Sequence, residues 1–318
     1  MRITRHLQPH STHPPAALTI GNFDGVHLGH TAILTQLLDH AQCHGLTPTV
    51  ITFEPHPKVF FAHKNPQSAP TKIVPLRNKL ALFAKLGIEH VVILPFNTAL
   101  ASMSATDFVS ELLLNRLNMR HLLIGDDFQF GAQRAGNFSL LQQMSAAHGF
   151  TLNAVQSVYC AEQRASSSHI RTLIAQGNIA SAVVQLGHPL QLSGRVIYGQ
   201  QLGRTINCPT INLKMPANLA AQGVFAADIH LNGQNHQGVA SIGTRPSVKT
   251  NGQCWLEVHI FDFNQNVYGQ LAHVTLRHKI RNELKFDDLP ALQRAIDDDI
   301  AQAHAFFANH PNPSHKLG

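Results

Sequence analysis

Two histidines three residues apart, His27 and His30, close the run Gly21-Asn22-Phe23-Asp24-Gly25-Val26-His27-Leu28-Gly29-His30. Ahead of it Ala17-Leu18-Thr19-Ile20 is a short apolar stretch, and behind it Ile33, Leu34, Leu37, Leu38 and Ala41 recur at helical spacing. The run is therefore predicted to carry a strand into the first turn of a helix, where unpaired amides and the positive end of the helix dipole point outward. Imidazoles at that place can donate hydrogen bonds to charge developing on phosphoryl oxygens, and the small Gly29 lets a triphosphate come close to the backbone. A bare HxxH pair also fits a solvated helix face or a metal-like spacing. The preceding Gly-x-Phe-Asp-Gly and the strand-turn-helix setting favour nucleotide handling, with Gly21, Phe23, Asp24 and Gly29 beside the two histidines.

Other residues with chemical potential follow in order. Glu54-Pro55-His56-Pro57 closes a second apolar stretch. In Gly125-Asp126-Asp127-Phe128-Gln129-Phe130-Gly131, Asp127 is suited to orient a nucleotide sugar, Phe128 and Phe130 to pack near a base or ring, and the later Arg134 to face phosphate. Ordinary core packing is the competing reading for the two phenylalanines. Ser166-Ser167-Ser168 lead into Ile170, Leu173 and Ile174, a short helix ending at Gly177, so hydroxyls and amides gather at its positive end with Arg171 in the first turn. A plain serine cap is the alternative there. Thr210 and Asn212 lie two apart in a strand-like stretch, so both oxygens face one side and can ligate a hard cation such as Mg²⁺. The Gly199-x-x-x-Gly203 loop can lie against phosphates, although no Gly-Lys-Ser/Thr follows as in a Walker A loop. Taken alone, Thr-x-Asn is an ordinary strand pattern and Glu257 an outward-facing strand residue.

The elements that must position these residues alternate in the first half. Strands are predicted at 17–20, 49–53, 90–94, 121–124 and 150–155, and helices near 31–43, 76–86, 104–117 and 139–148. Ser104 and Ser139 are the expected N-caps, and Gly45, Gly87 and Gly149 the stops. Crossovers between such strands imply a parallel sheet flanked by helices, with ligands beyond the carboxyl ends of its strands. Residues 178–186 read as one more helix closed by Gly187, and after Pro189 helical periodicity disappears. Strands are then predicted at 191–198, 211–213, 224–231, 238–242, 254–262 and 273–280, with turn signals at Asn232-Gly233 and Asn251-Gly252. A small closed antiparallel barrel is the economical solution, packed by a last helix at 289–307 through Leu292, Ala295, Ile296 and Ile300. The expected division is 1–186 and 187–318.

With 318 residues and 44% hydrophobic content, two cores can form. No run approaches a membrane span, and Met1 to His6 lead into no apolar signal core, so a cytoplasmic protein is expected. Cys43, Cys160, Cys208 and Cys254 lie far apart, as reduced thiols would. Lys and Arg number 24 against 18 Asp and Glu, a net +6. Only 13% of residues are charged and no basic run occurs, so phosphorylated small molecules fit better than nucleic acid. Most of the 22 histidines stand singly, and His10, His13, His40, His44, His63, His148, His304, His310 and His315 read as surface residues.

The first run resembles the HxGH nucleotidylyltransferases, and in fuller form the adenylyltransferase module of the bacterial bifunctional riboflavin kinase/FMN adenylyltransferase (FAD synthetase) family. Thr52-Phe53-Glu54-Pro55-His56-Pro57, the GxDFxFGxxRxG segment from Gly125 to Gly136, and Ser167-Ser168-His169-Ile170-Arg171 extend the resemblance, the last with Ser168 where the family has threonine. The second half is similar to the riboflavin kinase module through Gly194-Arg195-Val196, Gly199 to Arg204, Pro209-Thr210-Ile211-Asn212, Gly238 to Pro246, Leu256 to Phe263 and Arg281 to Phe286. What the resemblance implies is a Rossmann-like α/β domain followed by a kinase barrel, making FMN from riboflavin and FAD from FMN, with ATP as co-substrate and Mg²⁺. It further implies that Glu257 is the general base on the terminal ribityl hydroxyl. It assigns Ser167, Ser168, Arg171, Gly199, Gly203 and Arg204 to nucleotide, and Phe128, Phe130, Arg281 and Glu283 to flavin. One departure is Asn207-Cys208 where the family has Gly-Phe, which removes a flexible residue and an aromatic wall from the kinase loop. A different nucleotidylyltransferase and a flavin-binding or RNA-regulatory protein without turnover remain open readings, as does the oligomeric state.

Overall fold

The computed structural model describes residues 1–5, 7, 13–62, 69–125, 127–155, 159–160, 163–199, 208–244 and 253–311. By packing, the chain forms two units, Met1–Pro70 with Lys79–Ser166, and Thr71–Asn78 with Ser167–Gly318.

The first unit is built on six parallel strands, β1 (Arg2–Thr4), β2 (Ala16–Ile20), β3 (Thr47–Phe53), β4 (His90–Leu94), β5 (Met119–Gly125) and β6 (Thr151–Val155), in the order β1-β4-β3-β2-β5-β6. β2 and β4 are buried at every residue because helices cover both faces of such a sheet. The helices are α1 (Leu28–His44), α2 (Pro57–Phe61), α3 (Leu76–Leu86), α4 (Thr98–Ala101), α5 (Ala105–Asp107), which runs into a π-helical stretch Phe108–Arg116, and α6 (Phe138–His148). A two-residue ladder, β7 (Tyr159–Cys160) with β8 (Gln163–Arg164), follows. Leu18, Ile51, Leu113, Met119 and Leu122 anchor the core. The predicted strands and helices are all present, and β1 is an addition whose three residues are too few to show a period. Ser104 caps α5 by accepting from the Asp107 amide, but the cap of α6 is Asn137, not Ser139; the Asn137 amide oxygen accepts from Leu140 N.

Two histidines expected on the surface are half-buried. His13 stacks on His90, and His40 stacks on both His44 and His121, with ring centroids 3.5 Å apart in the last pair. His90 and His121 are buried, and burial, reinforced by nearby positive groups, lowers each pKa to about 4.

In the second unit α7 (Ser167–Ala175) and α8 (Ile179–Leu186) precede a closed antiparallel barrel of β9 (Gln191–Ile197), β10 (Ile211–Met215), β11 (Gly223–Leu231), β12 (Gln234–Thr244), β13 (Cys254–Ile260) and β14 (Leu271–Arg281), ordered β10-β13-β12-β11-β14-β9. β13 alternates buried and half-buried at every step, the mark of a strand with one face inward. Asn232 and Gly233, both at positive φ, form the two-residue turn between β11 and β12, while Asn251-Gly252 lies outside the described residues. Ile170, Ile174, Ala182 and Leu186 join Leu213, Phe225, Leu256 and Val274 in one core, so by packing α7 and α8 go with the barrel although the β pattern begins only after residue 187.

The last helix, α9 (Leu289–Asn309), buries Asp299, Ala303 and Phe307, with Ile300 and Phe306 partly packed; Leu292, Ala295 and Ile296 stay half-buried. Leu292, Ala295, Ile296 and Ile300 share the helical face of Asp299, Ala303 and Phe307, so the apolar periodicity marks the packed face and the polar Asp299 lies within it. The Asp299 carboxylate accepts two bonds from Arg281, each 2.7 Å.

Candidate active sites

In the first sheet β3 and β5 lie on opposite sides of β2, so the chain changes winding direction there and leaves a crevice beyond the carboxyl ends. The Gly21–His30 run leaves β2 at that point. His27 is the N-cap of α1 and is buried; its ring stacks on that of His30 with centroids 3.6 Å apart. Gly29 makes room for the stack, since a Cβ there would lie 3.2 Å from the His27 ring. Phe23 packs edge-on against His30 and Phe83, and Gly21 faces the Phe23 ring. Phe23 and Val26 hold φ values of 48° and 44°, strained for buried residues with a Cβ, and Asp24 between them is buried too. Two imidazoles and the first-turn amides of a 17-residue helix thus converge, a site built for anionic oxygens.

The loop after β5 stands beside it. Phe130 and Gly136 exchange backbone bonds of 3.1 and 2.8 Å, which closes residues 131–135 into a tight loop with Gln133 and Arg134 at positive φ. Asp127, Phe128 and Arg134 line one shallow cavity of about 480 Å³. Phe128 stacks on Phe130 at 5.4 Å, but Phe130 is buried in the core against Phe108. Of the two phenylalanines, Phe128 is therefore the one that lines the cavity.

Ser167 and Ser168 are the first two residues of α7. Arg171 is the fifth, one turn in rather than in the first turn, and its Nε donates to the Thr71 carbonyl at 2.6 Å.

In the barrel, Asn212 on β10 pairs across with Glu257 on β13, which pairs with Ser241 on β12, so the three share one face. Asn212 is 5% exposed, its Nδ2 turned to the Thr210 carbonyl at 3.4 Å. Gly199 lies on it so closely that a Cβ would come within 2.6 Å of its amide. His259 on β13 tethers the segment entering β10 through Nδ1 and the Pro209 carbonyl, 3.0 Å apart. Gly199, Thr210 and Asn212 line a cavity of about 720 Å³ with Val258, Ile260, Phe263 and Tyr268. A larger cavity, about 1140 Å³ between α8, the barrel and α9, contains none of the motif residues. Thr210 and Asn212 offer two oxygen donors, the hard atoms that Mg²⁺ takes when water and phosphate complete its shell. No cluster of three His, Cys, Asp or Glu suited to a metal occurs among the described residues.

Glu283 sits against Gly243, where any Cβ would collide with its carboxylate. Partial burial raises its pKa, Arg281 pulls it down, and the Glu257 charge raises it again. Arg281 itself is bound to Asp299, with Phe286 5.7 Å from its guanidinium carbon. Gly203, Arg204 and Asn207 lie outside the described residues. Cys208 is buried, its thiol pushed up to about 11 by burial and the Asp297 charge.

Sequence reasoning missed several contributors. Lys79 on α3 is buried beneath the Gly21–Asn22 turn, and Ser241, Phe263 and Tyr268 surround the barrel site. Ser241 and Phe263 fell inside quoted motifs; Lys79 and Tyr268 sit in ordinary-looking helix and loop.

Residues 10–169 match the family model of FAD synthetase, and residues 186–307 that of riboflavin kinase. A bifunctional riboflavin kinase/FMN adenylyltransferase of Haemophilus influenzae is 41% identical over 92% of this chain and 94% of its own length. That of Escherichia coli K12 is 40% identical over 96% and 98%, and that of Pseudomonas fluorescens 38% over 97% of each. Among solved structures, a Streptococcus pneumoniae chain described as a macrolide-efflux protein superposes with a TM-score of 0.74 at 27% identity, covering 94% of this chain and 97% of that one. A likeness that runs through both halves and nearly end to end places this chain in the bifunctional riboflavin kinase/FMN adenylyltransferase family.

Proposed function

We propose that this chain makes FAD from riboflavin in two ATP-dependent steps, the kinase step in residues 187–318 and the adenylyl transfer in residues 1–186. In the first, the terminal ribityl oxygen attacks the γ-phosphorus of ATP, Glu257 takes the hydroxyl proton, and ADP leaves. Thr210 and Asn212 would hold Mg²⁺, which when bound neutralises charge on the phosphates. Gly199, Gly203 and Arg204 are assigned to the nucleotide, and Arg281 and Glu283 to the flavin. The ion pair with Asp299 gives Arg281 a fixed place, from which it acts on Glu283 rather than as a mobile ligand.

In the second step an FMN phosphate oxygen attacks the α-phosphorus of a second ATP, and the bond to pyrophosphate breaks. His27 and His30 donate to the charge that accumulates there, helped by the α1 amides, and no covalent enzyme intermediate is required. Gly21, Phe23, Asp24 and Gly29 shape this loop, and Asp127 orients the nucleotide sugar. Phe128 offers its ring to the flavin, with Phe130 as its backing. Ser167, Ser168 and Arg171 are assigned to the triphosphate by resemblance. The need for ATP in both steps suits a cytoplasmic enzyme, and no described helix is long and apolar enough to cross a membrane.

The observation that carries the reading is that groups suited to phosphoryl chemistry occur in both units, the stacked His27/His30 pair in one and the Asn212–Glu257 row in the other. Purified protein incubated with riboflavin, ATP and Mg²⁺ should show FMN first and FAD after it when the flavins are separated over time. Riboflavin and FMN both left unchanged would refute it.

A further inference from the structure

Lys79 lies on α3, 8% exposed, and its ammonium donates to the Asn22 carbonyl and to the Thr52 hydroxyl, each at 3.0 Å. Thr52, fully buried at the carboxyl end of β3, donates to the same carbonyl at 3.3 Å. Both donors thus converge on the backbone oxygen that opens the turn carrying Phe23 and Val26 at φ 48° and 44°. Such residues persist in the left-handed region only where their surroundings hold them. A buried ammonium is costly, and a helix resting on a sheet needs only apolar contact at this depth. What this ammonium holds is the turn that delivers the His27 and His30 rings, one and four residues beyond Val26.

We infer that Lys79 is a positioning residue for adenylyl transfer. It pins the Asn22 carbonyl to the end of β3, so the strained turn holds the two imidazoles where charge builds on the α-phosphate. Its fixed positive charge also raises the potential of the crevice that takes a polyanion. Lys79 works through the turn, not on the reacting atoms. The inference deepens the adenylyltransferase reading and rests on it.

The test compares wild type, Lys79→Met, Lys79→Arg and Thr52→Val for FAD formation from FMN and, in the same preparations, for FMN formation from riboflavin. Lys79→Met should lower kcat of FAD formation by about 10²-fold, the loss that a displacement of about 1 Å brings, while KM for FMN stays near wild type. Lys79→Arg should recover most of it, Thr52→Val should show a smaller fall in kcat, and kinase turnover should be unchanged throughout. Wild-type kcat in Lys79→Met would overturn the inference, as would equal losses in the Met and Arg variants. Should Lys79→Met lose both activities by unfolding, Thr52→Val decides: wild-type kinetics there would overturn it. No FAD from wild type would instead bring down the adenylyltransferase reading beneath it.

Discussion

Gly199 and Asn212 meet so closely that the absence of one carbon decides where the amide stands: a Cβ on Gly199 would lie 2.6 Å from it. Gly199→Ala should therefore displace Asn212 and slow FMN formation by about 10²-fold, with FMN-to-FAD conversion unchanged, as parallel rate measurements would show. Cys208 makes a different statement about the same loop. A thiol pushed up to about 11 stays protonated, so it should resist alkylation at pH 8 in the folded protein while exposed Cys43 is labelled, a contrast that mass spectrometry reads directly. Cys208 thus fills buried space at the position where the resemblance expects phenylalanine. At this scale the sequence is most legible where chemistry forces an uncommon pattern. His27 and His30 with Gly29 between them stand out, whereas Lys79 in Leu-Arg-Asn-Lys-Leu, with Arg77 and Lys85 nearby, looks like the wet side of a helix. Nothing in residue order shows which of those charges turns inward.

Elements carry predictions that no isolated side chain does. The Arg281–Asp299 pair fastens α9 to β14, with the Asp299 side chain 5% exposed and that of Arg281 22%. Asp299→Ala leaves a guanidinium partly buried and unpaired, so urea unfolding of the barrel unit should register a loss of about 2–3 kcal/mol, below the value for a fully dry pair. On β4 and β5, His90 and His121 have folded pKa values near 4, against 6.5 for free histidine. The unfolded chain then binds more protons between those pH values, so stability is complete above about 6.5 and declines as pH falls toward 4. The slope should reach about 1.4 kcal/mol per pH unit for each histidine, seen as a falling Tm of the first unit. His90 shows why protonation is resisted: Arg2 already donates to its Nδ1 at 3.1 Å while Nε2 faces Thr4. Strand and helix periods were readable for nearly every element because each buries one face or two. The packed face of α9 follows the apolar period, and what the period does not show is the buried Asp299 within it, while the α6 cap moved from Ser139 to Asn137 because serine and asparagine serve equally well at an N-cap.

For the whole molecule, the change from helical to β periodicity near residue 187 marks a change in chain pattern, while packing draws 71–78 and 167–186 to the barrel. Period reports local burial, and which distant core a helix joins is decided by contacts that sequence order does not display. Two activities in one chain were legible nonetheless, because each half repeats its own ordered set of motifs. The central claim is that the two chemistries use separate residues, and a mixing experiment tests it most directly. Glu257→Ala and His30→Ala are prepared separately and supplied with ATP, Mg²⁺ and either riboflavin or FMN. Glu257→Ala should leave riboflavin untouched yet convert FMN to FAD, His30→Ala should make FMN and stop, and the two together should carry riboflavin through to FAD. Loss of both steps in either folded variant, or no FAD from the mixture, would contradict the account.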